Sequence, residues 1–220
     1  MNPPCPVIEG RAAALPTAHL DTDQIMPKQF LRGIDKAGLA RGLLHDLRFD
    51  AQGRPREDFV LNRPAFAHVN VLLAGPNFGC GSSREHAVWG LQQFGFQAVV
   101  ASSFGEIFYS NAINNGLLPA MVSEADALAL LDEAAAHDGP LPLRIDLRAS
   151  TVTSPGRTAA FSLAPRHQRM LIEGLDLIGA SLAHQAAIDA FAQRHWAAQP
   201  WLKDVAARMQ ASAATRRHEA

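Results

Sequence analysis

The sequence is poor in cysteine, since Cys5 and Cys80 are its only two thiols among 220 residues. Two thiols cannot build a disulfide framework, and their scarcity fits the reducing cytoplasm. An iron–sulfur cluster usually takes three or four thiolates, so this chain cannot ligate such a cluster alone. The nine histidines are scattered without metal-binding spacing, and we therefore predict no metal site in the chain.

An excess of charge of one sign and long apolar runs are also absent. Twenty Lys and Arg side chains nearly balance 21 Asp and Glu side chains, for a formal net charge of −1. This balance argues against a nucleic acid or a membrane surface recognised by bulk electrostatics. No apolar run reaches the roughly 18–20 residues that span a bilayer, and residues 1–5 do not resemble a secretory signal. The sequence therefore favours a cytoplasmic protein without nucleic-acid or membrane partners.

The hydrophobic pattern is that of an α/β protein. A β-branched run at 69–74 is followed by a glycine-rich loop, a helical pattern over 83–94 and a second strand at 97–101. This order predicts a βαβ unit with a ligand-type loop at the carboxyl end of its first strand. Around this unit the sequence predicts an edge strand at 7–11, helices at 107–115, 123–136, 166–173 and 182–194, a strand at 117–122, and a β-hairpin formed by 143–147 and 159–163. We predict one domain over residues 1–195 and a tail over 196–220, partly helical or disordered.

The most informative segment is the string NFGCGSSREHA at residues 77–87. Glycines before a helix leave several backbone N–H groups exposed, and the helix dipole favours an anion there. Ser82 supplies a proton-transfer group, and Arg84 supplies a planar fork for a carboxylate. The string lacks the lysine of a Walker A loop, the third glycine of a dinucleotide fingerprint and the spacing of a nucleophile elbow. A simpler interpretation stays open, since Ser82 and Glu85 also match a helix capping box.

The chain resembles a known family over most of its length. The string at 77–87 is similar to the signature of the aconitase superfamily's swivel domain, and specifically to small subunits of 3-isopropylmalate dehydratases. Further similar segments are LDTDQIMPKQFL at 20–31, DFVLN at 58–62, SF at 103–104, IFYSN at 107–111, NNGLLP at 114–119 and GLDLIG at 174–179. The resemblance covers roughly residues 7–195. It implies an aconitase-type swivelling β/β/α domain, in which a mixed sheet has flanking helices.

The resemblance also implies a hydro-lyase. Such a small subunit takes part in isomerising 2-isopropylmalate and 3-isopropylmalate, by dehydration and rehydration, in leucine biosynthesis. By similarity, Ser82 would be the base that takes a proton from carbon, with its alkoxide stabilised by backbone N–H groups and by Arg84. Ser83 and Arg84 would hold a substrate carboxylate through charge-assisted hydrogen bonds.

Two segments near the N-terminus are candidates for supporting roles. In the family, the segment at 21–23 borders the active site, so Asp23 would hold an arginine in place. Asp and Thr before a proline-ended segment also commonly just shape a turn, and this alternative stays open. The family's specificity loop begins near residue 30. Apolar Phe30, Leu31 or Ile34 would contact an isopropyl group there, and Arg32 would meet the other substrate carboxylate.

The cysteine count implies a partner. The family carries out dehydration with a [4Fe–4S] cluster whose open iron binds substrate, and a chain with two cysteines needs that cluster on a separate large subunit. We expect a heterodimer or heterotetramer with the active site at the subunit interface. Two alternatives stay open. One is the small subunit of a related dehydratase acting on citraconate, dimethylmalate or homoaconitate, and the other is a non-catalytic module that binds an anion.

Overall fold

In the computed structural model, which describes residues 4–31 and 37–210, the strands close into a barrel. The strands of the described residues are β1 (Val7–Leu15), β2 (Val71–Ala74), β3 (Ala98–Ala101), β4 (Leu118–Val122), β5 (Leu141–Asp146), β6 (Thr151–Thr153) and β7 (Thr158–Ser162). Their order around the barrel is β1-β2-β3-β4-β7-β6-β5, and β5 pairs again with β1. Neighbours among β1 to β4 are parallel, and the other pairs are antiparallel.

Helices connect and cover these strands. The α-helices are α1 (Thr22–Ile25), α2 (His45–Arg48), α3 (Glu85–Phe94), α4 (Glu106–Asn115), α5 (Glu124–Ala136), α6 (Pro165–Glu173), α7 (Leu177–Leu182) and α8 (Gln185–Ala198). Residues 205–210 are helical as well. Short 3-10 turns occur at Lys28–Phe30, Leu39–Arg41, Val60–Asn62, Pro64–Phe66 and Pro200–Leu202. α5 packs against β1, β2 and β3, and α4 packs against α3 and β4. Within the described part of the chain, none of the helices has the length and apolar character needed to cross a membrane.

Local sequence signals set the ends of the helices that follow the parallel strands. Gly95 ends α3 with φ of +118°, and Gly116 ends α4 with φ of +77°. Both values are left-handed, and glycine adopts them without a Cβ penalty. Ser123 caps the start of α5, where its side chain accepts a hydrogen bond from the N–H of Asp126. These boundaries agree with the sequence-based expectations because each signal acts over only a few residues.

The core extends from the barrel to the loops at one of its ends. Every residue of β2 and β3 is buried, as is typical of parallel strands covered on both faces. The largest fully buried side chains are Phe78, Phe96, Phe108, Leu20, Ile25, Met26, Leu43, Leu44, Leu72, Leu73, Leu91 and Leu117. Leu20 and Ile25 follow β1, and Phe78 follows β2. The loops after these two strands are therefore anchored by apolar packing.

The parallel strands bring their carboxyl ends to one edge of the barrel. The register aligns Ala12 of β1 with Val71 of β2, and Val71 with Ala98 of β3. The loops after β1, β2 and β3 therefore start side by side, at the kind of position where α/β proteins bind ligands. Residues 75–84, which include most of the glycine-rich string, form the middle one of these loops. We call residues 75–84 the glycine loop.

The chain divides into two compact units, residues 1–177 and residues 178–220. The first unit contains the whole barrel and helices α1 to α6. In the second unit, α8 has no buried residue, and large apolar side chains such as Phe191 are exposed. The division of the chain that the sequence suggested, at residue 195, stays a prediction.

The predicted α/β class, with a mixed sheet and flanking helices, is confirmed by the strand order. The predicted strand at 7–11 is present, but its expected length and its position at an edge of the sheet are wrong. β1 continues to Leu15 and pairs with β2 on one side and with β5 on the other. The sequence hides this extension because residues 12–14 are alanines, which have little preference for strands.

The predicted pairing of 143–147 with 159–163 in one hairpin is also wrong. The three-residue strand β6 lies between β5 and β7 and pairs with both. The turn before β6 is formed by Asp146, whose side chain accepts hydrogen bonds from the N–H groups of Arg148 and Ala149, each at 2.9 Å. The chain therefore reverses direction directly after Asp146, before the turn at residues 154–156 at which the sequence pattern predicts the reversal.

Candidate active site

The glycine loop is held between the two loops that flank it. Its Cys80 forms a parallel β-bridge with Asp21, in the loop after β1. On the other side, Phe78 forms a parallel bridge with Phe104, in the loop after β3. The N–H of Gly79 also donates to a carbonyl in the loop after β1, at 2.8 Å. The three loops therefore continue the parallel sheet beyond the strands, which restrains the backbone of the glycine loop.

Backbone conformation and close packing explain the glycines of this loop. The φ angle is +73° at Gly79 and +93° at Gly81, both in the left-handed region. A Cβ atom on Gly79 would lie 2.3 Å from Cγ of buried Phe108. Asn77 also has a positive φ, of +55°, and its Nδ2 lies 2.9 Å from Nδ1 of His19. The loop therefore depends on residue types that tolerate this conformation.

The interpretation of Ser82 and Glu85 as a helix capping box is wrong. α3 begins at Glu85 rather than at residue 83, its N-cap is Arg84, and no side chain makes a cap hydrogen bond there. The Glu85 carboxylate instead accepts a hydrogen bond from Nδ2 of Asn115, at 2.7 Å. The Ser82 hydroxyl is therefore not used to begin the helix, and the simpler explanation for it is removed.

The turn at residues 81–84 presents polar groups that the described part of the chain leaves unpaired. Ser82 and Ser83 are exposed, and within that part neither hydroxyl makes a hydrogen bond. The backbone N–H groups of residues 81–84 likewise donate to no group in residues 4–31 and 37–210. Successive N–H groups in a turn with a left-handed residue form a concave site for anions. This turn can therefore bind a carboxylate or stabilise an alkoxide.

Arg84 is held in place by an acidic side chain. Its Nη2 lies 2.6 Å from Oδ1 of Asp23, and its side chain is only 13% exposed. Its Nη1 donates to the carbonyl oxygen of Met26, at 3.4 Å. Nζ of Lys28 lies 3.7 Å from the other oxygen of Asp23. The structure thus brings together Asp23 and Arg84, two of the residues singled out in the sequence, and fixes the direction of the guanidinium group.

The segment that carries Asp23 is a short helix rather than a plain turn. Asp21 caps α1, and its side chain accepts a hydrogen bond from the N–H of Gln24, at 2.7 Å, while Oε1 of Gln24 accepts one from the N–H of Asp21. Thr22 follows the cap and is buried. The N–H of Thr22 donates to the carbonyl of Cys80, and its Oγ1 donates to the carbonyl of Ser82, both at 2.9 Å. α1 therefore contacts the glycine loop directly.

The residues predicted to contact the substrate side group follow α1 in the chain. Phe30 is half-buried, packs against the core and has its ring 5.0 Å from the ring of His45. It lines a cavity of about 480 Å³ together with Arg48 and Phe94. Leu31 also packs against the core, and Arg32 lies outside the described residues. Ile34, the third apolar candidate, also lies outside the described residues. The predicted contact of Phe30 and Leu31 with substrate stays a prediction.

Comparisons with known proteins identify the family. Residues 6–125 match the aconitase C-terminal domain, and residues 178–205 match the C-terminal domain of the 3-isopropylmalate dehydratase small subunit. The 3-isopropylmalate dehydratase small subunit 1 of Chromobacterium violaceum is 62% identical over 199 residues, which cover 90% of this chain and 93% of the relative. The chain belongs to the 3-isopropylmalate dehydratase small subunit family. The resemblance on which the sequence-based interpretation rested is thereby confirmed.

Other members of this small-subunit family agree. The small subunit of Caulobacter vibrioides is 49% identical over 89% of this chain and 96% of its own length. A crystal structure of 3-isopropylmalate dehydratase from Methanocaldococcus jannaschii is 30% identical, with a TM-score of 0.60, and covers 84% of this chain and 98% of its own. The chain therefore spans nearly the whole length of each of these relatives.

Sequence reasoning missed one residue that supports the glycine loop and one that supports the start of α3. Thr22 lies between two aspartates in a polar segment, so the local pattern did not indicate that it is buried. Asn115 stands near the end of α4, yet it reaches Glu85 at the start of α3. Both residues lie in segments that resemble the family, and this resemblance was the one sign in the sequence that they matter. Their partners are distant in sequence and become visible only in the fold.

Proposed function

We propose that this chain is the small subunit of a 3-isopropylmalate dehydratase, a hydro-lyase of leucine biosynthesis. Together with a large subunit it isomerises 2-isopropylmalate and 3-isopropylmalate by removing and re-adding water. The chain belongs to the small-subunit family, and the structure of the turn at Ser82 is the observation that supports this activity. The turn combines a serine hydroxyl and backbone N–H groups, all without a hydrogen-bond partner in the described part of the chain, with an arginine whose direction is fixed by Asp23.

Ser82 is the proposed base. A neutral serine hydroxyl is too weak to remove a proton from carbon, so its alkoxide must be stabilised by the N–H groups of the turn and by Arg84. The proton then moves from carbon to Oγ of Ser82, the electron pair of the C–H bond becomes the double bond, and hydroxide leaves. The proton and the hydroxide that leave amount to one water molecule. When water is added back with the hydrogen and the hydroxyl exchanged between the two carbons, the isomer forms.

Ser83 and Arg84 are the proposed carboxylate-binding residues. A guanidinium group presents two parallel N–H donors to a carboxylate, and such charge-assisted bonds are stronger than neutral ones. Because Asp23 and the Met26 carbonyl already engage part of the guanidinium group, it reaches the substrate in one preset orientation. We propose that Phe30, Leu31 and Arg32 begin the loop that selects the alkyl side group, in the assembled enzyme.

A Lewis acid for the leaving hydroxyl has to come from the partner. Cys5 and Cys80 are both free, and two thiolates do not fit a [4Fe–4S] cluster, so no cluster site is assigned to this chain. We propose that the large subunit holds the cluster, whose open iron would polarise the leaving hydroxyl. The two chains would form a heterodimer or heterotetramer in the cytoplasm, with the turn at Ser82 facing the interface.

Reconstitution of the complex tests this proposal. We expect the chain alone to be inactive, and co-expression with its large subunit under anaerobic conditions to give turnover of 3-isopropylmalate. Replacing Ser82 with alanine should lower kcat by about 10²–10⁴-fold, the usual contribution of a general base. The matched control is Ser162→Ala, which changes an exposed serine on β7. Binding of a non-reacting substrate analogue to the complex, followed by calorimetry, should survive in the Ser82→Ala complex.

Two results would contradict the proposal. One is full activity from the purified chain without a partner, and the other is an unchanged kcat in the Ser82→Ala complex. Assays of the same complex with citraconate and dimethylmalate identify the substrate side group. A higher kcat/KM for either of these than for 3-isopropylmalate would favour a related dehydratase over the proposed one.

A further inference from the structure

We propose that Thr22 is a positioning residue for Ser82, an inference that rests on the proposed function. Thr22 is only 1% exposed, and both of its hydrogen-bond donors act on the glycine loop. Its N–H donates to the carbonyl of Cys80, and its hydroxyl donates to the carbonyl of Ser82, each at 2.9 Å. Within residues 4–31 and 37–210, the buried hydroxyl hydrogen-bonds only to the backbone of the proposed base.

These two hydrogen bonds set the direction of the donors on the turn. A trans peptide group is planar, so its carbonyl oxygen and the following N–H point in opposite directions. Because the carbonyls of Cys80 and Ser82 point toward Thr22, the N–H groups of Gly81 and Ser83 point away from α1. Both N–H groups are unpaired within the described part of the chain. Thr22 thus orients two donors that are free to bind an anion.

The remaining contacts of α1 keep Thr22 where it is needed. The capping box between Asp21 and Gln24 fixes the helix on one side of Thr22. On the other side, the ion pair between Asp23 and Arg84 fixes the helix to the end of the same turn. Thr22 holds the carbonyl of Cys80 through its backbone N–H and the carbonyl of Ser82 through its hydroxyl. Only the second of these hydrogen bonds depends on the side chain of Thr22. A substitution of Thr22 can therefore release one peptide group while the rest of α1 stays in place.

The consequence for catalysis is specific. Without the hydroxyl, the peptide group between Ser82 and Ser83 is free to rotate, and both Oγ of Ser82 and the N–H of Ser83 lose their fixed positions. Misplacement of a reacting group by about 1 Å costs roughly 10²-fold in rate. The interactions affected most are those with the reacting proton and the developing charge. Arg84 keeps its ion pair with Asp23 and still binds the substrate carboxylate, so the loss should fall mainly on kcat rather than on KM.

The experiment compares Thr22→Val with Thr22→Ser in the complex with the large subunit. Valine keeps the buried volume and removes the hydroxyl, and we expect kcat to fall by about 10–100-fold with KM changed by less than about threefold. Serine keeps the hydroxyl and should restore most of kcat. Thr153→Val is the matched control, since it removes a hydroxyl whose partner, Thr158, lies on β7.

The outcomes separate this inference from the proposed function. If the wild-type complex has no dehydratase activity, the proposed function fails. If it is active and Thr22→Val retains its kcat, the positioning role is wrong. The role is also wrong if Thr22→Ser loses as much kcat as Thr22→Val, because the hydroxyl is then not the group that matters. Circular dichroism and co-purification with the large subunit establish that each variant is folded and assembled before its kcat is compared.

Discussion

Replacing Gly79 with alanine tests the packing of the glycine loop against the core. Gly79 has φ of +73°, where an L-residue costs about 1–2 kcal/mol. The new Cβ would also lie 2.3 Å from Cγ and 2.6 Å from Cβ of Phe108, which is itself buried. Overpacking of this kind typically costs about 1–3 kcal/mol. We therefore expect Gly79→Ala to lower the free energy of unfolding by about 2–5 kcal/mol.

Gly53→Ala is the matched control for this substitution. Gly53 has nearly the same φ, +75°, and no atom lies within 4 Å of the position of its Cβ. It therefore carries the backbone strain without the clash, and we expect a loss of only about 1–2 kcal/mol. The difference between the two variants isolates the contact with Phe108.

Thermal and chemical denaturation of the purified chain measure this difference. In a chain of 220 residues, each kcal/mol lowers Tm by roughly 2–4 °C. The clash should thus lower Tm by roughly 2–12 °C beyond the control. Equal losses of stability in Gly79→Ala and Gly53→Ala would refute the close approach of the glycine loop to Phe108.

Two further predictions concern acidic residues. Asp23→Asn should raise KM for 3-isopropylmalate in the complex by about tenfold, because a guanidinium group loses its fixed direction when a charged partner is removed. The N–H groups of Ala149 and Arg148 hold the pKa of the Asp146 carboxyl below its usual value. This carboxylate therefore stabilises the fold above the pKa of the unfolded chain, and the contribution is lost as pH falls through the lower folded value. Denaturation of wild type and Asp146→Asn should differ at neutral pH and converge in acid.

Each of these two predictions has a control. For Asp23→Asn it is Asp126→Asn, which changes an acidic residue at the start of α5 and should leave KM unchanged. An unchanged KM in Asp23→Asn would show that Arg84 does not need its ion pair to bind substrate. For Asp146→Asn, a stability difference from wild type that stays constant from neutral to acidic pH would show that the carboxylate charge is not responsible.

Much of the region around the glycine loop was predictable because its signals are local. The β2–α3–β3 unit follows from an apolar run, a glycine-rich turn and a helical period, and Gly95 and Gly116 mark the ends of their helices. The motif at residues 77–87, together with the other similar segments, indicated the family, which the comparisons confirm. The catalytic and binding roles of Ser82, Ser83 and Arg84 stay predictions.

The features that could not be predicted depend on residues distant in the chain. Thr22 becomes important only because the fold brings it to the carbonyl of Ser82. Glu85 looked like part of a capping box because Ser82 stands three residues before it, yet Asn115 takes its carboxylate. The full length of β1 depends on its pairing with β2 and β5. The alanines in the second half of β1 give no local sign of either pairing.

The closure of the barrel has a consequence for how the chain folds during synthesis. β1, at Val7–Leu15, completes its pairing only with β5, at Leu141–Asp146. The long connection adds little to the free-energy cost of closure, since doubling a loop costs only about 0.6 kcal/mol, but non-local pairing slows folding. A nascent chain that has not reached Asp146 carries one unpaired side of β1, and exposed strand edges of this kind pair with other chains. The interval before β5 leaves the ribosome is therefore a period in which β1 can aggregate with other chains.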